Sequence, residues 1–180
     1  GSKGILGKNI MDFCGKPLLA WTIEQCLQTE SVSGVWVSSD DEKILAVAEK
    51  YGAQLIERPA KISDDYATSE SAWLHAVNYL EQRELTTDVL LAPQVTSPLR
   101  TSEDIEKAIV IFENEQLDSL FSASIAEDLY YWERAKDGQL SSVNYDYLNR
   151  KRRQDFQPQI IENGSFYLLK PDILKKENNR

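Results

Sequence analysis

The run Asp88-Val89-Leu90-Leu91-Ala92-Pro93-Gln94-Val95-Thr96-Ser97-Pro98-Leu99-Arg100 decides how this chain is read. Its first part is an apolar strand of the buried kind. Its second part turns to an amide, two hydroxyls, a proline and an arginine. A strand ending this way delivers polar groups to the crevice outside the carboxyl ends of an open α/β sheet, where such sheets bind ligands.

Working outward, the pattern of a strand followed by a helix recurs. Upstream, Leu19, Ile23, Cys26 and Leu27 share a helical face, with Pro17 suited to the first turn. Gly34 to Ser39 reads as a strand, and Asp40-Asp41 can cap the helix from Glu42 to Tyr51, which Gly52 stops. Ala53 to Ile56 is a further strand, closed by Arg58-Pro59. Thr68 or Ser69 can start a helix through Trp73, Ala76, Val77 and Leu80. Downstream, the spacing predicts a helix from Ser102 to Glu113 with Ile105, Ala108, Ile109 and Phe112 inward, then a strand from Asp118 to Ala123.

Strands alternating with helices of this length predict an α/β fold: Rossmann-like, three-layered, with a mostly parallel sheet and right-handed crossovers. From Ile125 to Ile161 the rhythm fails, with Tyr130, Tyr131, Trp132, Tyr145, Tyr147 and Phe156 at no clear period. This stretch reads as an insertion, a lid or an arm toward a partner subunit. The expected organisation is a core over 1–124, the insertion over 125–161 and a return to the core over 162–180. Ser165 to Leu169 forms the returning strand and Pro171 to Lys176 a helix. Both ends read as incomplete, because the glycine-lysine loop at Gly1 has no strand before it.

Bulk properties limit the functional classes. The chain has 180 residues, 42% hydrophobic and 27% charged, as in an ordinary globular domain. A net charge of −9 argues against nucleic-acid binding. The cations are gathered nonetheless: Arg150 to Arg153 are consecutive, and Lys3 and Lys8 share the glycine-rich start. By charge alone the former run is a solvated loop. Cys14 and Cys26 form neither a zinc spacing nor a disulfide framework. No stretch is apolar enough to span a bilayer and none reads as a signal peptide, so a cytoplasmic enzyme or binding protein is expected.

Several residues then have two readings. Gly1-Ser2-Lys3-Gly4 offers backbone amides and a cation to phosphate oxygens, or is a flexible turn; it lacks Walker spacing. Arg58 can read a carbonyl or phosphate, or form a surface ion pair. Ala67-Thr68-Ser69 can line a ligand or cap a helix. His75, the single histidine, reads as structural, so no catalytic triad is available.

Taken together, Gly1-Ser2-Lys3-Gly4-Ile5, Lys8-Asn9, Gly15-Lys16-Pro17-Leu18, Ser38-Ser39-Asp40-Asp41, Arg58-Pro59, Gln94 to Arg100, Arg152-Arg153-Gln154-Asp155 and Asn163 to Tyr167 resemble the acylneuraminate cytidylyltransferases. The likeness runs in order along nearly the whole chain. It implies transfer of CMP from CTP to the anomeric hydroxyl of a nine-carbon 2-keto sugar acid, with magnesium and with release of pyrophosphate. N-acetylneuraminic acid is the leading substrate; legionaminic or pseudaminic acid keeps the same chemistry, and a non-catalytic CTP-binding remnant is a different class.

By the resemblance, Ser2, Lys3 and Lys8 face the triphosphate. Asn9, Arg58 and Ser69 bind the cytidine, with Ala67 beside it. Gln94, Thr96 and Ser97 hold the sugar acid, Tyr167 lies against it, and Arg153 stands near the reacting groups. Lys8 and Arg153 are the expected catalytic pair. The resemblance also makes 125–161 a dimerisation arm of a homodimer. Val95 departs from the family's usual proline, and Leu129-Tyr130-Tyr131-Trp132 stands where some members have paired histidines. The metal-binding aspartates of the resemblance fall outside the chain.

Overall fold

Apolar residues spaced three and four apart become helices where the sequence places them, in a computed structural model that describes residues 5–64, 66–126, 130–155 and 157–179, Arg153 by its backbone. The chain divides into two units, Gly1–Phe121 with Gly164–Arg180, and Ser122–Asn163.

The first unit opens with a 3₁₀ turn, Lys8–Ile10, and a short antiparallel hairpin of β1 (Asp12–Phe13) and β2 (Lys16–Pro17). Its two loop residues, Cys14 and Gly15, have φ of 54° and 92°, as a tight hairpin turn with both central residues left-handed requires. Because Lys16 and Pro17 are extended in this ladder, helix α1 (Leu18–Leu27) starts at Leu18 with Pro17 at its N-cap. The sequence had placed Pro17 inside the first turn.

Next come β3 (Trp36–Ser39), α2 (Glu42–Lys50) and β4 (Gln54–Glu57), with β3 and β4 paired in parallel from Trp36↔Gln54 to Ser39↔Glu57. The Asp41 carboxylate accepts from the Lys43 N–H and so caps α2. Gly52, at φ 89°, ends that helix in a conformation that side chains resist. Helix α3 (Ser69–Glu81), β5 (Leu90–Pro93), α4 (Ser102–Asn114) and β6 (Ser119–Ile125) continue the alternation. Thr101 and Asp104 form a reciprocal capping box at α4, whose buried face is Ile105, Ala108, Ile109 and Phe112.

After β7 (Trp132–Arg134) and β8 (Leu140–Ser142), β9 (Ile160–Leu169) enters between β5 and β6, and α5 (Pro171–Glu177) follows. β9 pairs antiparallel with β5, Leu90↔Leu169 to Pro93↔Phe166. Side chains alternate faces along a strand, and on β9 each face meets a different cluster. Phe166 and Leu168 pack with Cys26, Ile105, Ala108, Ile109 and Phe112 from α1 and α4. Tyr167 and Leu169 pack with Ala92 and with Trp73 of α3. Helices therefore cover both sides of the sheet, which makes three layers. Leu19 and Ile23 of α1 extend the core to Ala48 and Ala53 beside the β3–β4 ladder.

The second unit carries the antiparallel pair β7–β8, with Trp132↔Ser142 and Arg134↔Leu140 in register. Ring contacts hold it: Tyr130 lies 4.5 Å from Tyr145, and Trp132 lies 5.8 Å from Tyr145 and 5.7 Å from Tyr147. Aromatic edge-to-face packing of this kind has no helical or strand period, so the sequence shows none here.

Candidate functional site

The carboxyl end of β4 and the N-terminus of α3 enclose a cleft of about 300 Å³ lined by Arg58, Ile62, Ser63, Asp64, Ala67, Thr68, Ser69 and Ala72. Three residues expected to hold the nucleotide, Arg58, Ala67 and Ser69, thus share one wall. Arg58 is fixed from both ends. Its N–H donates to the Ser39 carbonyl at 3.0 Å and its Nε donates to Ser63 Oγ at 3.1 Å. Asp40 at the end of β3 stands 3.9 Å from its Nη2. Ser63 Oγ in turn donates to the Pro59 carbonyl, and the Asp64 carboxylate accepts from the Tyr66 N–H.

Thr68 caps α3 by accepting from the Ser71 N–H at 3.1 Å, which leaves Ser69 at the first helical position. The capping reading of the Ala67–Ser69 segment thus falls to Thr68, while Ala67 and Ser69 lie in the cleft lining beside it. A guanidinium, hydroxyls and a helix N-terminus around one small cleft suit a polar ring bearing a carbonyl and an attached phosphate. Ser63 and Asp64 join the wall without having been singled out in sequence; the polar run between β4 and α3 is the signal that marks them.

Gln94, Thr96 and Ser97 occupy the turn after β5. The Gln94 N–H donates to the Ser165 carbonyl at 2.8 Å and the Ser97 N–H donates to the Gln94 carbonyl at 3.2 Å. Gln94 and Ser97 are half-buried and Thr96 is exposed. Tyr167 is on the adjacent strand β9, opposite Ala92, but is only 5% exposed and packs its ring 5.6 Å from that of Trp73.

The turn is anchored by a residue whose role sequence reading missed. Arg100 is 7% exposed. Its Nη1 donates to the carbonyls of Gln94, Ser97 and Ser165 at 2.8, 3.2 and 3.0 Å, and its Nη2 donates to Thr22 Oγ1 at 2.7 Å. Burial pulls its pKa below the ordinary arginine value, with a small opposing effect from Cys26. The Cys26 thiol is pushed up to about 11 by burial, the state of an inert core thiol.

Lys8 and Asn9 are half-buried on the first 3₁₀ turn, which packs against α1 and α2, and they do not line the Arg58 cleft. Ser2 and Lys3 lie outside the described residues. Arg153 begins a 3₁₀ turn, Arg153–Asp155, in the second unit, and its side chain is likewise outside the description. Around it, Arg152 makes a two-point pair with Asp155 at 2.8 and 3.1 Å, and the Arg150 guanidinium lies 4.1 Å from the centre of the Tyr130 ring. His75 sits within α3, its ring centre 6.5 Å from that of Tyr79 and its Nδ1 buried without a hydrogen-bond partner among the described residues. Among the described residues no three Asp, Glu, His or Cys side chains gather into a metal-holding group, so magnesium is assigned no protein ligands.

This geometry has clear relatives. A family described as Cytidylyltransferase matches residues 1–179. The chain is 32% identical over 178 residues to N-acylneuraminate cytidylyltransferase A of Danio rerio, covering 98% of this chain and 40% of that protein. It is 36% identical over 173 residues to a pseudaminic acid cytidylyltransferase of Campylobacter jejuni subsp. jejuni, covering 93% of this chain and 73% of that one. It therefore spans about two fifths of the length of the fish relative and most of the bacterial one. Among solved structures, a CMP:2-keto-3-deoxy-manno-octonic acid synthetase complexed with CTP superimposes with a TM-score of 0.74 at 17% identity, over 99% of this chain and 73% of that one. That likeness establishes the Rossmann-like nucleotidyltransferase fold. With the sequence match along almost its whole length, the chain belongs to the cytidylyltransferase family, together with the acylneuraminate enzymes.

Proposed function

We propose that the protein transfers the cytidylyl group of CTP to the anomeric hydroxyl of N-acetylneuraminic acid, releasing pyrophosphate. The observation that carries this reading is the cleft that joins Arg58, Ala67 and Ser69 at the ends of β4 and α3 in a member of this family. In it, Arg58 and Ser69 bind the cytidine of CTP with Ala67 alongside; Asn9, which does not line the cleft, is proposed to reach the cytidine from the first 3₁₀ turn. Ser2, Lys3 and Lys8 neutralise the triphosphate. Gln94, Thr96 and Ser97 hold the sugar acid, with Tyr167 behind them, and Arg153 stands near the reacting groups.

The sugar hydroxyl attacks the α-phosphorus, the bond to the β-phosphate oxygen breaks in line, pyrophosphate leaves with the electron pair, and the hydroxyl proton is released to solvent. Such a step needs alignment and charge neutralisation more than a covalent nucleophile. Magnesium is proposed to accompany the triphosphate as its counter-cation, and no step is assigned to it. The second unit, which exposes Trp132, Tyr147, Leu148 and Ile160, is proposed as the surface through which two copies pair. A cytoplasmic setting is proposed as well; among the described residues no helix is long and apolar enough to cross a membrane.

A second reading keeps the reaction and changes the sugar to pseudaminic or legionaminic acid, favoured by the 36% identity to a pseudaminic acid cytidylyltransferase. Pyrophosphate release from CTP and magnesium, measured with N-acetylneuraminic, legionaminic, pseudaminic and 3-deoxy-octulosonic acids in turn, tests both. Release with the first alone supports the leading reading, and release with another names the sugar. Binding of CTP without release from any of the four overturns the reaction and leaves a nucleotide-binding module.

A further inference from the structure

Arg100 is a buried cation whose hydrogen-bond partners are all neutral. Three are main-chain carbonyls, from Gln94, Ser97 and Ser165, and the fourth is the Thr22 hydroxyl. Among the described residues no carboxylate pairs with it, and its Nε is buried without a partner. Burying a charge without a counter-charge is unfavourable, so the fold tolerates this guanidinium for what it arranges. It ties together three segments remote in sequence: the turn after β5, the start of the inner half of β9, and α1. Helix α1 grips the same turn at a second point, where Gln25 Nε2 donates to the Pro98 carbonyl at 2.7 Å. The Ser165 carbonyl accepts from both Arg100 Nη1 and the Gln94 N–H, so the turn is fixed to β9 by two donors at one oxygen.

We infer that Arg100 is a positioning residue for the acid-binding half of the site, holding the Gln94–Ser97 turn in the shape that presents its side chains and placing an unneutralised positive charge behind them. The inference rests on the proposed role of Gln94, Thr96 and Ser97 toward a sugar acid. It deepens that role by explaining how a solvent-facing turn stays ordered and why it favours an anion. The three carbonyls point their negative ends at Arg100, so the opposite, positive ends of those peptide units face away from it. A carboxylate-bearing ligand gains from that orientation and from the charge beneath, with little screening by water at a buried guanidinium.

The test compares the wild-type chain with Arg100→Lys, which keeps a charge and loses the fork that reaches several carbonyls at once. Two readouts are taken. Amide hydrogen exchange at Gln94 and Ser97 is expected to quicken at least tenfold in the variant, while the Gln54 N–H, bonded to the Val35 carbonyl in the β3–β4 region, keeps its protection. In steady-state kinetics, KM for the sugar acid is expected to rise tenfold or more while KM for CTP stays within about twofold. Unchanged exchange at Gln94 and Ser97, or equal rises in both KM values, would overturn the inference. If Arg100→Lys does not fold, Thr22→Val carries the same test: it removes one acceptor, and an unmoved exchange rate at Gln94 again overturns the anchoring. If the wild-type chain releases no pyrophosphate with any acid, the proposed reaction fails by itself, and the exchange measurement still decides whether Arg100 holds the turn.

Discussion

Arg58 directly follows β4, and Arg100 closes the turn that leads from β5 into α4; the two guanidiniums are used in contrary ways. The Arg58 side chain keeps 24% of its surface, touches the Ser63 hydroxyl and lines an open cleft. Arg100 keeps 7% and is occupied by main-chain carbonyls and a threonine. The former has donors to offer a ligand; the latter has turned its donors inward to shape a turn. What separates them is the identity of the acceptors within reach. A side-chain hydroxyl can exchange its donor for a ligand atom, whereas several converging carbonyls have no replacement once buried.

The comparison breaks most visibly in stability. Arg100→Met takes the donor from the Ser97 carbonyl and the Thr22 hydroxyl, while the Gln94 and Ser165 carbonyls each keep a main-chain N–H, so unfolding free energy in urea should fall by roughly 2–4 kcal/mol, at about 1–3 kcal/mol for each group left short. Arg58→Ala should barely change that value and should instead weaken CTP binding by about 2–3 kcal/mol, on the order of a hundredfold by calorimetry, as expected for loss of a charged hydrogen-bond donor. A large loss of stability at Arg58, or none at Arg100, would erase the distinction. Thr22→Val sharpens it: Thr22 is 5% exposed and its hydroxyl accepts from Arg100, so about 1–2 kcal/mol of stability should go with no change in CTP affinity.

The smallest effect lies at the cap beyond Arg100. Thr101→Ala should remove about 1 kcal/mol. The Thr101 N–H and hydroxyl hold the Asp104 carboxyl below the ordinary aspartate value of 3.8. A depressed carboxyl stabilises the fold above its unfolded pKa, and that contribution is lost as pH falls through the folded one. The gap between wild type and Thr101→Ala should therefore be full at neutral pH and narrow as pH falls below 3.8, where the hydroxyl's bond to the carboxylate is lost, leaving the share from the Thr101 hydroxyl accepting the Asp104 N–H. A gap of unchanged size in stronger acid would show that the hydroxyl's bond to the carboxylate contributes nothing.

Local rules account for what the sequence disclosed. The helical face of Ile105, Ala108, Ile109 and Phe112, the cap at Asp41 and the stop at Gly52 all depend on neighbours within four residues, and each is found where expected. The cleft was half legible: Arg58, Ala67 and Ser69 were marked, while Ser63 and Asp64 were hidden in a polar run that reads as any loop does. Arg100 was visible as a letter of the motif and opaque in its role. Its acceptors at Ser165 and Thr22 lie 65 and 78 positions away, and two of the four are backbone atoms of residues flanking it, which no residue type betrays. Lys16 and Pro17 misled for the converse reason, since a two-residue ladder outranked the helix propensity of the segment that follows.

The second unit leaves the fold along β6 and comes back along β9, and those strands are neighbours in the sheet. Departure and return through adjacent slots make residues 122–163 a cassette. The stretch between β6 and β9 can be lengthened, trimmed or traded for a relative's version while those two strands keep their places in the sheet. The Arg58 cleft, the Arg100 anchor and the capping box all lie outside it. Selection acting on the cassette can therefore vary the exposed surface of the second unit, and with it the Arg153 turn, while the Arg58 cleft and the Arg100 anchor are inherited unchanged.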